Sequence, residues 1–152
     1  MRPVQEGTWF AVPLRTRGFA VGVVARTTPT GGIVLAYFFP GVWESPPGID
    51  DMKELGVQRA IRLLRVGDLG LTNGTWQIIG VDPVWCREDW PVPKFVRRDD
   101  LSRRAWIVEY SDNDANVVVS ESPTDYSTSL ERDAVHGAGA AEIVMTRLLS
   151  GG

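Results

Sequence analysis

The sequence predicts a mainly β fold with one C-terminal helix: a strongly curved antiparallel sheet or small barrel of about seven or eight strands. Three observations predict it. Runs of β-branched and aromatic residues recur at strand length, turn-forming residues separate them, and helical periodicity is strong only near the end of the chain. The 152 residues are expected to form one domain spanning 1–152, because a chain of this length can bury roughly 70% of its unfolded surface.

TWFAVPL, FAVGVVART and IVLAYFF are separated by RTRG and TPTGG, the pattern of three consecutive strands joined by short turns. Pro13 lacks an N–H, which places it at a sheet edge or a bulge, and the first strand is read as an edge strand whose Trp9 to Leu14 backbone is open to pairing between subunits, a pairing that Pro13 weakens. Gly18 and Gly22 flank Phe19 and Val21 and mark a bend or a close approach of another backbone. PGVWESPPGIDDMKELG reads as a loop, with one helical turn over Asp50 to Leu55 capped by Asp50.

Five further strand-like runs follow: AIRLLRV, WQIIGV, KFVRR, RAWIVEYS and NVVVSES. LGLTNG and SDNDAN supply turns between them, since Asn, Asp and Gly tolerate left-handed backbone angles. The final stretch, GAGAAEIVMTRLLSGG, spaces Ile143, Val144, Arg147 and Leu148 as a helix requires, with Gly151 just past its end.

Charge is unevenly placed. Residues 1–76 hold 8 basic and 6 acidic side chains, whereas 77–152 hold 8 and 13, for a net of −3. An acidic half attracts a basic partner, and the balance argues against nucleic acid as the ligand. Arg97, Arg98, Arg103 and Arg104 alternate with Asp99 and Asp100, which makes a self-compensating turn. No apolar run approaches the ~18 residues of a membrane span, and the first residues lack the apolar core of a signal peptide. A cytoplasmic protein without membrane contact is expected.

The residues that carry chemistry are sparse. Cys86 is the sole cysteine and His136 the sole histidine, too few for a thiolate metal cluster or a zinc site, so no metal or cofactor is expected. Cys86 sits between Trp85 and Trp90 and reads as a half-buried small hydrophobe. His136 would need a nucleophile and an orienting carboxylate to act in catalysis, and spacing supplies neither. Asp112-Asn113-Asp114 opens like a calcium loop, but Val117 and Thr124 stand where such a loop needs glycine and an acid.

The six tryptophans say more. Trp9, Trp76 and Trp106 fall in strands and are expected in the core. Trp43, Trp85 and Trp90 fall in proline-punctuated loops, where they either anchor a partner protein or fold inward to cap the sheet. Aromatic side chains ringed by charge, as in PVWCREDWPVPKF, match the composition of a binding anchor with a polar rim. Trp43, Trp85 and Trp90 with the acids Glu88, Asp89, Asp99, Asp100, Asp112 and Asp114 are therefore the expected partner-binding residues.

GTWFAVPLRTRGFAVGVVAR with IVLAYFFP, then GDLGLTNGTWQIIG and WCREDWPVPKFVRRD, then HGAGAAEIVMTRLL together resemble the immunity protein 26 family of bacterial polymorphic toxin systems. The resemblance implies a β-rich cytoplasmic antitoxin that binds a cognate secreted toxin and has no catalysis of its own; monomer and homodimer are both open. It carries over no catalytic residue. Besides an uncharacterised structural module, two other readings are open: a small-molecule-binding barrel lined by Trp9, Phe19, Tyr37 and Trp106, and a hydrolase pairing His136 with Glu142 or Asp133.

Overall fold

A computed structural model describes residues 4–150. All eight strand-like runs form strands: β1 (Thr8–Pro13), β2 (Phe19–Arg26), β3 (Ile33–Phe38), β4 (Arg62–Gly67), β5 (Gln77–Val81), β6 (Phe95–Asp99), β7 (Arg104–Ser111) and β8 (Asp114–Thr124). Two strands of two residues each complete the set, β9 (Glu131–Arg132) and β10 (Val135–His136). Helix α1 (Leu69–Asn73) occupies the stretch read as a turn, and α2 (Ala138–Leu149) is the expected C-terminal helix; Gly151 lies outside the described residues.

The strands form two open sheets, ordered β10-β4-β3-β2-β1-β5 and β8-β7-β6-β9. The first strand is therefore not at an edge. β5 pairs with Thr8 to Ala11 and stops, so Pro13 lies beyond it and pairs only with Phe19 of β2. A proline at the end of an inner strand costs no ladder hydrogen bond when the neighbour on that side has already ended.

The central strands β1, β2 and β3 are buried on both faces, which is why they read as nearly continuous apolar runs rather than clean alternations. Phe10, Val12, Val24, Val34, Phe38 and Leu64 face Trp76 and the α2 residues Ala141 and Met145. Trp9, Val21, Val23, Tyr37 and Phe39 face the other way, beneath Met52 and Trp90. Gly22 is required between them, since a Cβ there would lie 2.7 Å from the Phe10 ring. Gly18 turns the β1–β2 connection at φ +74° and passes so close to Trp43 that a Cβ would meet its carbonyl oxygen at 2.7 Å.

The second sheet docks through Phe95, Val108, Tyr110 and Ala115 onto Leu35. Arg65, buried on β4, crosses the junction and donates to the Ala115 carbonyl (2.9 Å), the Tyr110 hydroxyl (2.9 Å) and Asn116 Oδ1 (3.0 Å). Its guanidinium lies 4.0 Å from the Tyr110 ring centroid. The segment 131–136 then runs from one sheet to the other, pairing parallel with β6 through Glu131 and Arg132 and with β4 through Val135 and His136. Glu131 accepts from Arg62, and Asp133 accepts from the Tyr110 hydroxyl. A buried arginine satisfied on every side fixes one docking of the sheets, because any other would leave its charge unpaired.

Candidate interaction face

Two connections, residues 39–61 and 82–94, cover the Trp9 face of the first sheet. Trp90 plugs it, only 7% exposed, with its ring edge-on to Trp9 (6.0 Å), Tyr37 (5.2 Å) and Phe39 (6.0 Å). The Tyr37 hydroxyl donates to the Pro91 carbonyl, and burial pushes its pKa up to about 12 against the opposing pull of Arg26. Trp85 stacks on Trp90 at 5.3 Å and 18° and is half-buried. Trp43, also half-buried, exchanges two backbone hydrogen bonds of 2.8 Å with Phe19. Of the two expectations for the loop tryptophans, Trp90 takes the inward one and supports the loop from beneath.

A cluster of ion pairs holds the outer connection in place. Arg87 donates Nε and a terminal nitrogen to the two carboxylate oxygens of Glu6, both at 3.0 Å, and another terminal nitrogen to Asp112 at 2.6 Å. Asp112 also meets Arg26, whose side chain is 3% exposed, at 2.9 Å. The hydrogen bond from Arg26 holds the Asp112 carboxyl below the usual aspartate range, with Arg87 adding to it, and Glu6 raises the Arg87 pKa further. Arg87 thereby ties its own loop to the β7–β8 turn and to the chain before β1.

On this frame Glu88 and Asp89 are exposed, Asp112 is exposed but paired, and Asp114 is half-buried. Asp99 ends β6 and Asp100 opens the β6–β7 turn, at the opposite end of β7 from Asp112 and Asp114. There Asp99 accepts the Leu101 N–H at 3.0 Å and Asp100 accepts the Tyr126 hydroxyl. The six acids thus divide into two groups, and only the first adjoins the loop tryptophans. Cys86 is exposed rather than half-buried, and its thiol, donating to Glu88 at 3.3 Å, is pushed up by that carboxylate.

A cleft of about 490 Å³ opens beside this ridge, lined by Trp9, Ile49, Asp50, Met52, Lys53, Asp82, Pro83 and Val84. It continues past Trp9 and Met52 toward Asp89 and Trp90. The floor is aromatic and apolar, while Asp50, Asp82 and Asp89 outnumber Lys53, which is itself paired with Asp50 at 3.2 Å. Val84 stands 82% exposed on the rim. Such a surface suits an aliphatic or aromatic stem that ends in a cation. Sequence reasoning missed the cleft and Val84 because both depend on two connections folding against each other. Arg26, a charge within a buried strand, was the one signal that an ion pair had to form here.

The constellations required by the two other readings are not assembled. Trp9 and Tyr37 share a packed cluster, but Phe19 pairs with Trp43 and Trp106 lies on the second sheet 4.8 Å from the Arg97 guanidinium. Glu142 accepts the Trp76 indole N–H (2.8 Å) and Arg15 Nε (3.1 Å), while Asp133 serves Tyr110 and Arg65. His136 hydrogen-bonds neither carboxylate, and its Nδ1 is buried without a partner among the described residues.

The model of the immunity protein 26 family matches residues 5–107, a span that contains the whole first sheet except β10, both covering connections and the cleft. The chain belongs to the immunity protein 26 family. No curated protein and no solved structure matches it. As a member of this family the chain has an antitoxin role, and the face built on Trp9, Trp85 and Trp90 falls within the part the family shares. No helix among the described residues is long and apolar enough to cross a membrane.

Proposed function

We propose that this immunity protein binds a cognate secreted toxin in the cytoplasm and neutralises it by occupying its functional surface, with no catalysis of its own. Family membership carries the reading, and the acid-rimmed cleft beside the Trp85 ridge supports the choice of face. Glu88, Asp89, Asp82 and Val84 meet the toxin; Trp85 and Trp90 hold them at a fixed height; Asp112 locks the ridge through Arg87. Trp43, Asp99, Asp100 and Asp114 lie around this face or at the far end of the second sheet and act as its periphery. A toxin with a basic substrate groove fits best, since carboxylates held at fixed positions stand in for substrate phosphates and speed encounter.

Co-expression of the tagged protein with the product of the neighbouring effector gene tests the reading. The expected result is a 1:1 complex that co-purifies and relieves the effector's toxicity in the same cell. An effector that remains toxic and unbound at high levels of this protein contradicts it.

A further inference from the structure

β8 is the longest strand of the fold and an outer strand of the second sheet, paired on one side only, to β7. Its first residues are tied to the first sheet: the Ala115 N–H donates to the Thr27 carbonyl at 3.1 Å, and the Ala115 carbonyl accepts from Arg65. From Asn116 to Pro123 every residue is exposed, with Val117, Val118 and Val119 at 46%, 44% and 62%. Val117 and Val119 have no opposite residue on β7, because the register shifts on either side of Tyr110.

Outer strands are normally blunted by brevity, charge, proline or a bulge that twists the edge away. The other three here are short, with two residues in β9, two in β10 and five in β5. β8 has Pro123 only near its end, keeps an unbroken strand from Asp114 to Thr124 through its two register shifts against β7, and carries one charge between Ala115 and Thr124, Glu121, which is neutralised by Arg97. The valines are left as an uncharged, β-branched edge, whose side chains favour pairing with another strand.

We propose that β8 pairs antiparallel with β8 of a second copy about a two-fold axis at Val118, joining two four-stranded sheets into one continuous sheet. This register sets Val117 against Val119 of the other copy on both sides of the axis and Asn116 against Ser120. Glu121 comes opposite Ala115, so no like charges meet. Of the remaining acids of the hairpin, Glu109 holds Lys94 at 3.8 Å and Asp112 holds Arg26 and Arg87, while Asp114 accepts the Asn116 N–H at 2.9 Å and comes opposite Ser122 in this register. A strand with that pattern is complementary to itself. The pairing does not depend on the toxin-binding reading, and β8 lies outside the residues 5–107 matched by the family.

Sedimentation velocity of the full chain, under reductant because Cys86 is exposed, tests this over about a thousandfold range of concentration. The expected result is a monomer that becomes a dimer as concentration rises, with amide exchange slowed over 116–120 in the dimer. Val119→Lys is expected to stay monomeric over the same range at an unchanged melting temperature. The exchange measurement on the unaltered protein decides the question even if that variant misfolds. A monomer at every concentration overturns the proposal, as does a dimer whose 116–120 amides exchange freely. A monomer whose β8 amides are protected only when the toxin is added also overturns it, and assigns the edge to the toxin instead.

Discussion

Glu142 on α2 accepts the indole N–H of Trp76 at 2.8 Å in a buried site. The same carboxylate takes Arg15 Nε at 3.1 Å, so one acid ties α2 both to the connection before β5 and to the β1–β2 turn. An acid that reads in the sequence as a conceivable partner for His136 is thus a structural rivet. Glu142→Leu leaves the Trp76 N–H buried without an acceptor, and we expect it to cost about 1–3 kcal/mol. Urea denaturation checks this, and Glu142→Gln, which keeps an acceptor, is expected to lose less.

Trp90 fills the space between Trp9, Tyr37 and Phe39 and supports Trp85 from below. Trp90→Ala is expected to cost about 3–5 kcal/mol, as other large core truncations do. Trp85→Ala is expected to cost less because Trp85 is half-buried. If both lost equal stability, Trp90 would not be the plug that the ring geometry makes it.

Arg87 joins Glu6 to Asp112. Removing it with Arg87→Ala takes the shared cation from Glu6 and Asp112, and because both carboxylates reach solvent and Asp112 keeps Arg26, the expected cost is about 1 kcal/mol. The local signature is faster amide exchange over 84–90 with little change in β2 and β3. Global unfolding at that cost, without local loosening first, contradicts the account of the clamp.

His136 is held below its ordinary pKa of 6.5, first by burial and then by the Arg62 and Arg132 charges, with Glu131 opposing. The unfolded chain therefore binds the proton more tightly than the folded one. The stability from the neutral imidazole is fully present above pH 6.5 and is lost as pH falls through the lower folded pKa. As the only histidine, it dominates this window. The melting temperature is expected to fall between pH 7.5 and pH 5.5, and His136→Phe is expected to flatten that slope.

All eight long strands and α2 were legible in the sequence because each carries its own apolar run and its own turn signals. β9 and β10 were not, since a two-residue strand has no period to read and exists only because Arg62, Arg65 and Tyr110 hold Glu131 and Asp133 between the sheets. Pro13 misled for a specific reason: it bars a residue from donating in a ladder, but it does not say whether the neighbouring strand reaches that far. At the candidate face, the acids and tryptophans could be picked out by type. Their division into two groups, and the partners of Asp112 at Arg26 and Arg87, follow from strand pairing far along the chain and have no local trace.

Association kinetics of this immunity protein with its cognate toxin, measured at several salt concentrations for the unaltered chain and for Glu88→Lys with Asp89→Lys, test the central claim most directly. The account predicts a nanomolar complex, about −12 kcal/mol, whose association slows as salt rises, and a double variant that associates more slowly with a weaker salt dependence. An association rate and salt dependence unchanged by the two charge reversals would contradict it.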